Sequence, residues 1–146
     1  MSNDNMMLAV DSLVANEFAV ELEGEKMLGV FGVSGLTTFK LNESGQQVYR
    51  PVQITKMVQR NGNNPFNMWL RETMNSRDES ERPTRTVSIV AIDDGVETRR
   101  WTLQNAYIIE VSYSDFDTAS TEMVEEAVTV RYTSIEETWS ATESLD

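Results

Sequence analysis

The residues of this chain whose types and spacing could support chemistry are acidic. They form three kinds of group: Asp93-Asp94 beside Gly95, Asp115-Phe116-Asp117, and the pairs Glu125-Glu126 and Glu136-Glu137. The aspartate groups could hold a hard cation, and the glutamate pairs could act as acid and base. However, Asp-Asp-Gly is also a common hairpin turn, and a short Asp-x-Asp segment usually caps a loop. Adjacent residues on a strand point to opposite faces, so we interpret the glutamate pairs as solvated charge.

Other groups on which enzymes commonly rely are missing from the composition. The 146 residues include no cysteine and no histidine, which removes the thiolate nucleophile, the commonest general base and the commonest transition-metal ligand. Trp69, Trp101 and Trp139 could stack a ligand, but large aromatic side chains more often pack in a core or an interface. We therefore expect no catalytic activity, no metal and no cofactor.

The charge balance argues against specific nucleic-acid binding. Twenty-four acidic residues against twelve basic ones give a net charge of −12. A field of that sign repels phosphate groups and anionic lipids, and it favours solubility. The acidity does not exclude a protein that surrounds nucleic acid without binding it specifically.

Length and hydropathy indicate one soluble domain. A chain of 146 residues with 40% hydrophobic residues is long enough and apolar enough to bury a core. The start, Met1-Ser-Asn-Asp-Asn5, lacks the basic region of a signal peptide, and no apolar run approaches the roughly 18 residues of a membrane helix. We expect synthesis in a cytoplasm.

Alternation of apolar and polar residues predicts a half-buried strand over residues 17–23. One face carries the expected core residues Phe18, Val20 and Leu22, and the other carries the acids Glu17, Glu21 and Glu23. A second strand is predicted over 28–33, where closely spaced glycines suggest a bulge or a close approach of two backbones. Residues 1–16 are predicted to be a mobile or weakly helical leader with apolar residues that could dock on a neighbour.

The middle of the chain combines a long polar segment with a short helix. Residues 37–49 predict a protruding hairpin or loop, followed by a strand over 52–60. Asn64-Pro65 supplies a capping side chain and a preset φ, so we predict a helix to about Asn75. Its apolar residues, including Trp69 and Leu70, recur at helical spacing and are expected to pack under a sheet.

The C-terminal half predicts strands over 84–92, 96–103, 106–113 and 125–135, with a hairpin turn at 93–95. Trp101 is expected in the core, and residues after Trp139 form a polar tail. The fold class predicted from all these elements is mainly β, an antiparallel sandwich or barrel with one short α-helix.

Several motifs occur in an order that resembles the tail-tube proteins of contractile phages and of phage-like contractile injection systems. They cover residues 17–139 and comprise Phe18-x-Val20-x-Leu22-x-Gly24, Val33-Ser-Gly-Leu36, a helix bearing Trp69, the turn at Asp93-Asp-Gly95, and Trp101-Thr-Leu-Gln-Asn-Ala-Tyr107. The chain departs from the family pattern at Val48-Tyr-Arg-Pro51, where no glycine follows the proline.

The resemblance implies a single tail-tube domain over 17–139, between the leader 1–16 and the tail 140–146. It implies subunits that join through their sheets into a hexameric ring, with rings stacked into a tube inside a contractile sheath. Baseplate or initiator and terminator proteins would be further partners, and DNA or protein cargo would pass without specific binding. The acids Glu17, Glu21 and Glu23 would face the lumen. Ring stacking would involve Phe39, Lys40, Leu41, Tyr49 and Arg50.

An alternative from another class is a small β-barrel that binds a ligand in its interior. The two functions predict different particles, because a tube subunit forms rings or tubes whereas a small ligand-binding barrel is a compact monomer.

Overall fold

The computed structural model describes residues 13–140, and the regular structure of this segment is mainly antiparallel β-strand. In chain order its elements are β1 (Phe18–Leu22), β2 (Glu25–Lys26), β3 (Val30–Ser34), β4 (Val52–Met57), the helix α1 (Pro65–Asn75), a 3-10 turn (Glu79–Glu81), β5 (Arg85–Asp93), β6 (Val96–Tyr113), β7 (Glu125–Arg131) and β8 (Ser134–Trp139). The predicted class, mainly β with one short helix, is confirmed for the described residues.

The strands form two half-sheets that share the long strand β6. Within the first half-sheet, β2, β1, β5, the N-terminal part of β6 and β8 follow one another. The second contains the C-terminal part of β6, then β7, β4 and β3. Every pairing is antiparallel, and apolar side chains from both half-sheets meet in one core.

Strand β6 is one continuous element of 18 residues, whereas the sequence pattern predicted two strands over 96–103 and 106–113. The apparent break is a β-bulge, at which the register against β5 shifts between Arg85 and Val87 and Asn105 has a positive φ of 53°; a bulge bends its strand. Its side-chain amide donates to Thr133 Oγ1 at 3.0 Å, and the Thr133 amide donates to the Gln104 carbonyl at 3.0 Å. The backbone therefore continues along β6 through Asn105, where the sequence pattern had suggested a turn between two strands.

The opposite correction applies to the predicted strand 125–135. The structure divides it into β7 and β8, which both pair with β6 but on either side of its bend. Tyr132 and Thr133 separate the two strands, opposite the bend at Asn105. Alternation continued through this point in the sequence because Val128, Val130 and Tyr132 are all buried.

Strand β3 shows the bulge that its glycines predicted. The register against β4 shifts between Val30 and Gly32, and a side chain at Gly32 would collide with the Thr55 hydroxyl. The glycine therefore leaves room for the Thr55 side chain of β4.

Helix α1 begins where the sequence placed it. The Asn64 side chain accepts a hydrogen bond from the Asn67 amide at 2.8 Å, which caps the first turn, and Pro65 follows at the start of the helix. Trp69 is 1% exposed, and its indole N–H donates to the Pro83 carbonyl at 3.1 Å.

Among the described residues, no helix has both the length and the apolar character needed to span a bilayer.

The structure places the six expected core residues at two depths. Val20, Leu22 and Trp69 are fully buried. Phe18, Leu70 and Trp101 are half-buried and pack against the same core from its margin.

An ion pair lies inside the core at a place where the sequence pattern predicted solvated charge. Lys56 and Glu126 are directly opposed on β4 and β7, and they are 0% and 2% exposed. The ammonium donates to Glu126 Oε1 at 2.7 Å and to the Met57 carbonyl at 3.0 Å, and it lies 4.7 Å from the centre of the Phe66 ring. The interpretation of the 125–126 pair as solvated was wrong for Glu126, because this side chain continues the inward face of Val128 and Val130.

Breaking this pair from one side should strongly destabilise the domain. We expect Lys56→Ala to lower the free energy of unfolding by about 3–5 kcal/mol, because a buried carboxylate loses its partner. The double variant Lys56→Met/Glu126→Leu should recover most of the loss, since it leaves no charge in the core. Urea unfolding of the three proteins tests this, and a single variant as stable as the double one would contradict it.

Candidate assembly surface

The segment between β3 and β4 is an ordered projection rather than a loose loop. Its tip is organised by Asn42, whose carboxamide oxygen accepts from the amides of Ser44 and Gln46 at 3.0 and 2.9 Å. The Val48 amide donates to the Lys40 carbonyl at 2.8 Å, and Leu41 and Gln47 form an isolated β-bridge. We call residues 37–50 the projecting loop. Its tip is a small hairpin whose conformation is set before any partner binds.

The first leg of the projecting loop is tied to the first half-sheet through Thr38. The indole N–H of Trp101 donates to Thr38 Oγ1 at 3.1 Å, and the threonine hydroxyl donates to Glu137 Oε1 at 2.6 Å. Glu137 in turn faces the Arg99 guanidinium at 3.3 Å. One hydroxyl group therefore links the loop to both β6 and β8.

The second leg is held by Tyr132, which lies between β7 and β8. Its hydroxyl donates to the Arg50 carbonyl at 2.7 Å, and its ring meets Tyr49 edge-on with centroids 5.9 Å apart. Burial, and secondarily Tyr49, raises the pKa of Tyr132 above its ordinary value. The hydroxyl therefore stays protonated and remains a donor at neutral pH.

The structure divides the five predicted stacking residues into two groups. Phe39, Lys40 and Leu41 are exposed on the projecting part of the loop, whereas Tyr49 is half-buried beside exposed Arg50 at its base. Local sequence patterns gave no role to Thr38 and indicated only solvated charge at Glu137, because nothing in such a pattern connects residues that are 99 positions apart.

The three acids expected at a lumen lie along β1 and beside it, and each already has a partner. Glu17 accepts from the amides of Asp94 and Gly95 at 3.2 and 2.8 Å. Glu23 accepts from the Thr86 amide at 2.9 Å, and Glu21 forms an ion pair with Arg100 at 2.7 Å. These carboxylates therefore organise the first half-sheet as well as adding negative charge to its outer face.

Arg100 is the centre of a small charged network on that face. Its guanidinium also binds Glu97 at 2.8 Å, and hydrogen bonding from Arg100 lowers the pKa of Glu97. Glu97 and Glu21 raise the pKa of Arg100 in return. The network offers fixed charge rather than a proton to exchange.

The two aspartate groups with possible chemistry serve as a turn and a cap. Asp94 and Gly95 have positive φ values of 50° and 79° and close the β5–β6 hairpin as predicted. Asp117 accepts from the Ala119 amide at 3.0 Å and caps its loop. Within residues 13–140, no three His, Cys, Asp or Glu side chains converge to form a possible metal site.

An apolar groove of about 420 Å³ opens between the half-sheets, and its lining includes Phe18, Phe31, Leu36 and Trp101. Its polar groups are already engaged, since Trp101 binds Thr38 and the carboxylate of Glu17 binds a turn. A specific ligand site needs a few free polar groups that converge on the ligand. The ligand-binding alternative is therefore not favoured.

Comparison with known proteins identifies the family. The model of the T4-like virus tail tube protein gp19 family matches residues 14–136, which is most of the chain. The chain belongs to this tail tube family. None of the curated proteins compared with the chain matches it significantly in sequence.

Solved structures show the same fold at low sequence identity. A chain from the PVC sheath–tube complex of an extracellular contractile injection system, in its extended state, has a TM-score of 0.69 and 18% identity, and the match covers 95% of this chain and 100% of that one. The anti-feeding prophage tube-terminating cap gives 0.69 and 16%, covering 89% and 93%. Hcp1 from Flavobacterium johnsoniae gives 0.55 and 14%, covering 85% and 96%.

Membership of the tail tube family makes this chain a structural tube subunit, which agrees with the resemblance seen in its motifs. The match begins at residue 14 and ends at 136, close to the predicted domain 17–139. Residues 1–12 and 141–146, which contain most of the predicted leader and tail, lie outside the described residues.

Removing the Thr38 hydroxyl should loosen the projecting loop without unfolding the domain. In Thr38→Val the Trp101 and Glu137 bonds to this position are lost, while the side-chain shape is kept. We expect amide hydrogen exchange in residues 39–48 to accelerate by about tenfold, the equivalent of one net hydrogen bond of about 1–1.5 kcal/mol. Thr38→Ser should retain the protection of the original protein. Equal exchange in all three proteins would show that Thr38 does not restrain the loop.

Proposed function

We propose that this tube subunit forms six-membered rings that stack into the hollow tube of a contractile phage tail or injection system. A sixfold assembly is supported by the similar fold of a chain in the six-fold symmetrised baseplate of the anti-feeding prophage, with a TM-score of 0.64 and 14% identity. Contraction of a surrounding sheath would drive the tube, and DNA or effector cargo would pass through it.

The sheet supplies a physical reason to form rings. Strands β2, β8 and β3 each pair with only one neighbour and are therefore outer strands, and exposed strand edges promote uncontrolled association unless they are paired. Pairing edges around a closed ring satisfies them with a limited number of copies. The residues that pair across subunits would come from these outer strands.

Net charge explains why cargo would slide rather than bind. A ring of six copies carries six times the −12 charge of one chain, so a lumen lined by Glu17, Glu21 and Glu23 would repel DNA and acidic proteins. This repulsion also opposes assembly, and apolar contacts and edge hydrogen bonds must exceed it.

The other partners follow from the assemblies in which similar folds occur. These are a sheath–tube complex, a sheath/tube terminator, a tube-terminating cap and a baseplate. We propose that the chain contacts sheath, baseplate or initiator, and terminator proteins, is made in the cytoplasm, and has no catalytic activity. The tube would act as a passive conduit.

The observation that carries the proposal for ring stacking is the preorganised loop. Residues 37–50 are held at both legs, and Phe39, Lys40 and Leu41 are exposed at the projecting part. An ordered projection loses less conformational entropy on binding than a mobile loop does. Its exposed apolar side chains would supply most of the contact energy, with the charges of Lys40 and Arg50 at the rim contributing less.

Shortening residues 42–47 to a two-residue turn tests this role. We expect a folded protein with a nearly unchanged melting temperature, because the segment is exposed and adds little to the core. Electron microscopy and sedimentation should show subunits or single rings but no long tubes. A glycine–serine replacement of residues 42–47 that keeps the length is the matched control. It should form tubes, but shorter ones than the natural protein forms. Full-length tubes formed by the shortened protein at the normal rate would rule out this loop as the stacking element.

A further inference from the structure

Five large apolar side chains are exposed together at one end of the second half-sheet. We call Leu28, Val58, Tyr113, Phe116 and Met123 the strand-end patch. Phe116 and Met123 are 81% and 74% exposed, so they contribute little to the core of this subunit. A contiguous group of such residues commonly marks an interaction surface.

Backbone hydrogen bonds show that the strand ends that carry or adjoin these residues are neighbours. The Met57 amide donates to the Gly29 carbonyl at 2.9 Å, and the Val58 amide donates to the Val124 carbonyl at 3.1 Å. The Ser114 amide donates to the Glu125 carbonyl at 3.0 Å. The ends of β3, β4, β7 and β6 therefore lie side by side, and the patch extends across all four.

The strand-end patch and the projecting loop lie at opposite ends of the same half-sheet. The loop leads into β4 at Val52, which pairs with Val130, whereas Met57 at the other end of β4 pairs with Glu125. Six residues of strand separate the two ends by roughly 17 Å. The half-sheet therefore carries an apolar projection at one end and an apolar surface at the other.

The charges of the two ends are complementary. Residues 113–125 contain four acids, Asp115, Asp117, Glu122 and Glu125, and no Lys or Arg, although Arg60 lies just beyond the end of β4. The projecting loop carries Lys40 and Arg50 against a single acid, Glu43. In a chain with twice as many acids as bases, this local difference favours contact between the loop and the patch.

We propose that the strand-end patch of one copy receives the projecting loop of a second copy, with Phe39 and Leu41 against the patch and Lys40 facing its acids. Because the two surfaces differ, the contact is head-to-tail and leaves a free loop at one end of the assembly and a free patch at the other. Such a contact repeats along an axis when the rotation between successive copies does not close into a ring. The inference rests on the proposed stacking function and identifies the surface that receives the loop.

Cysteine cross-linking tests the contact directly, because the natural chain contains no cysteine. A double variant Leu41→Cys/Met123→Cys, assembled and treated with a short bis-maleimide, should give a ladder of linked multimers on a denaturing gel. The matched control is Leu41→Cys/Val96→Cys, since Val96 is similarly exposed at the β5–β6 hairpin. It should give at least tenfold less multimer.

The outcomes separate this inference from the function on which it rests. If the protein without substitutions forms tubes and the 41/123 pair links no better than the 41/96 pair, the receiving surface is wrong while the tube function stands. If the protein without substitutions forms no rings or tubes in any condition, the proposed function is wrong as well.

A second measurement covers the case in which the cysteine variants do not assemble. Phe116→Ser and Met123→Ser remove apolar area from exposed positions, so melting temperatures should be unchanged. We expect the concentration needed for tube formation to rise at least about tenfold, as for loss of one interface anchor. Val96→Ser is the control and should assemble normally. Normal tube formation by Phe116→Ser/Met123→Ser would overturn the proposal.

Discussion

Strand β6 is the constraint on which the rest of the structure depends, because one uninterrupted backbone takes part in both half-sheets. Its N-terminal part pairs with β5 and β8, and its C-terminal part pairs with β7. The left-handed conformation at Asn105 bends the strand, and the Asn105–Thr133 hydrogen bond matches that bend to the break between β7 and β8. A single backbone therefore joins the two half-sheets.

The core beneath the second half-sheet combines a cross-strand ion pair with the apolar face of α1. The ammonium of Lys56 is enclosed by Glu126, the Met57 carbonyl and the Phe66 ring. These three contacts fix the orientation of the Lys56 side chain. A buried ion pair often adds little net stability compared with apolar residues. In this chain it opposes Lys56 to Glu126 in a single register, and a slip of β4 against β7 would leave both charges unpaired.

The surface proposed for assembly is held in one conformation. The projecting loop is held by Thr38 at one leg and by Tyr132 at the other, and Asn42 orders its tip. A subunit that presents its contact residues in one conformation loses less entropy when it joins a neighbour. The same half-sheet holds the strand-end patch in a set position relative to the loop, so successive copies would be added with one geometry.

Local patterns in the sequence determined the elements whose physical cause is local. The Asn64-Pro65 start of α1, the Asp94-Gly95 hairpin and the alternation of β1 each depend on a few neighbouring residues, and all three are present. The order of the motifs was also sufficient to indicate the tail tube family. Tertiary structure alone decided that β6 continues through Asn105, that Glu126 meets Lys56, and that Thr38 joins Trp101 to Glu137. These depend on residues 28 to 99 positions apart, whose meeting is set by strand register and packing rather than by any pattern along the chain.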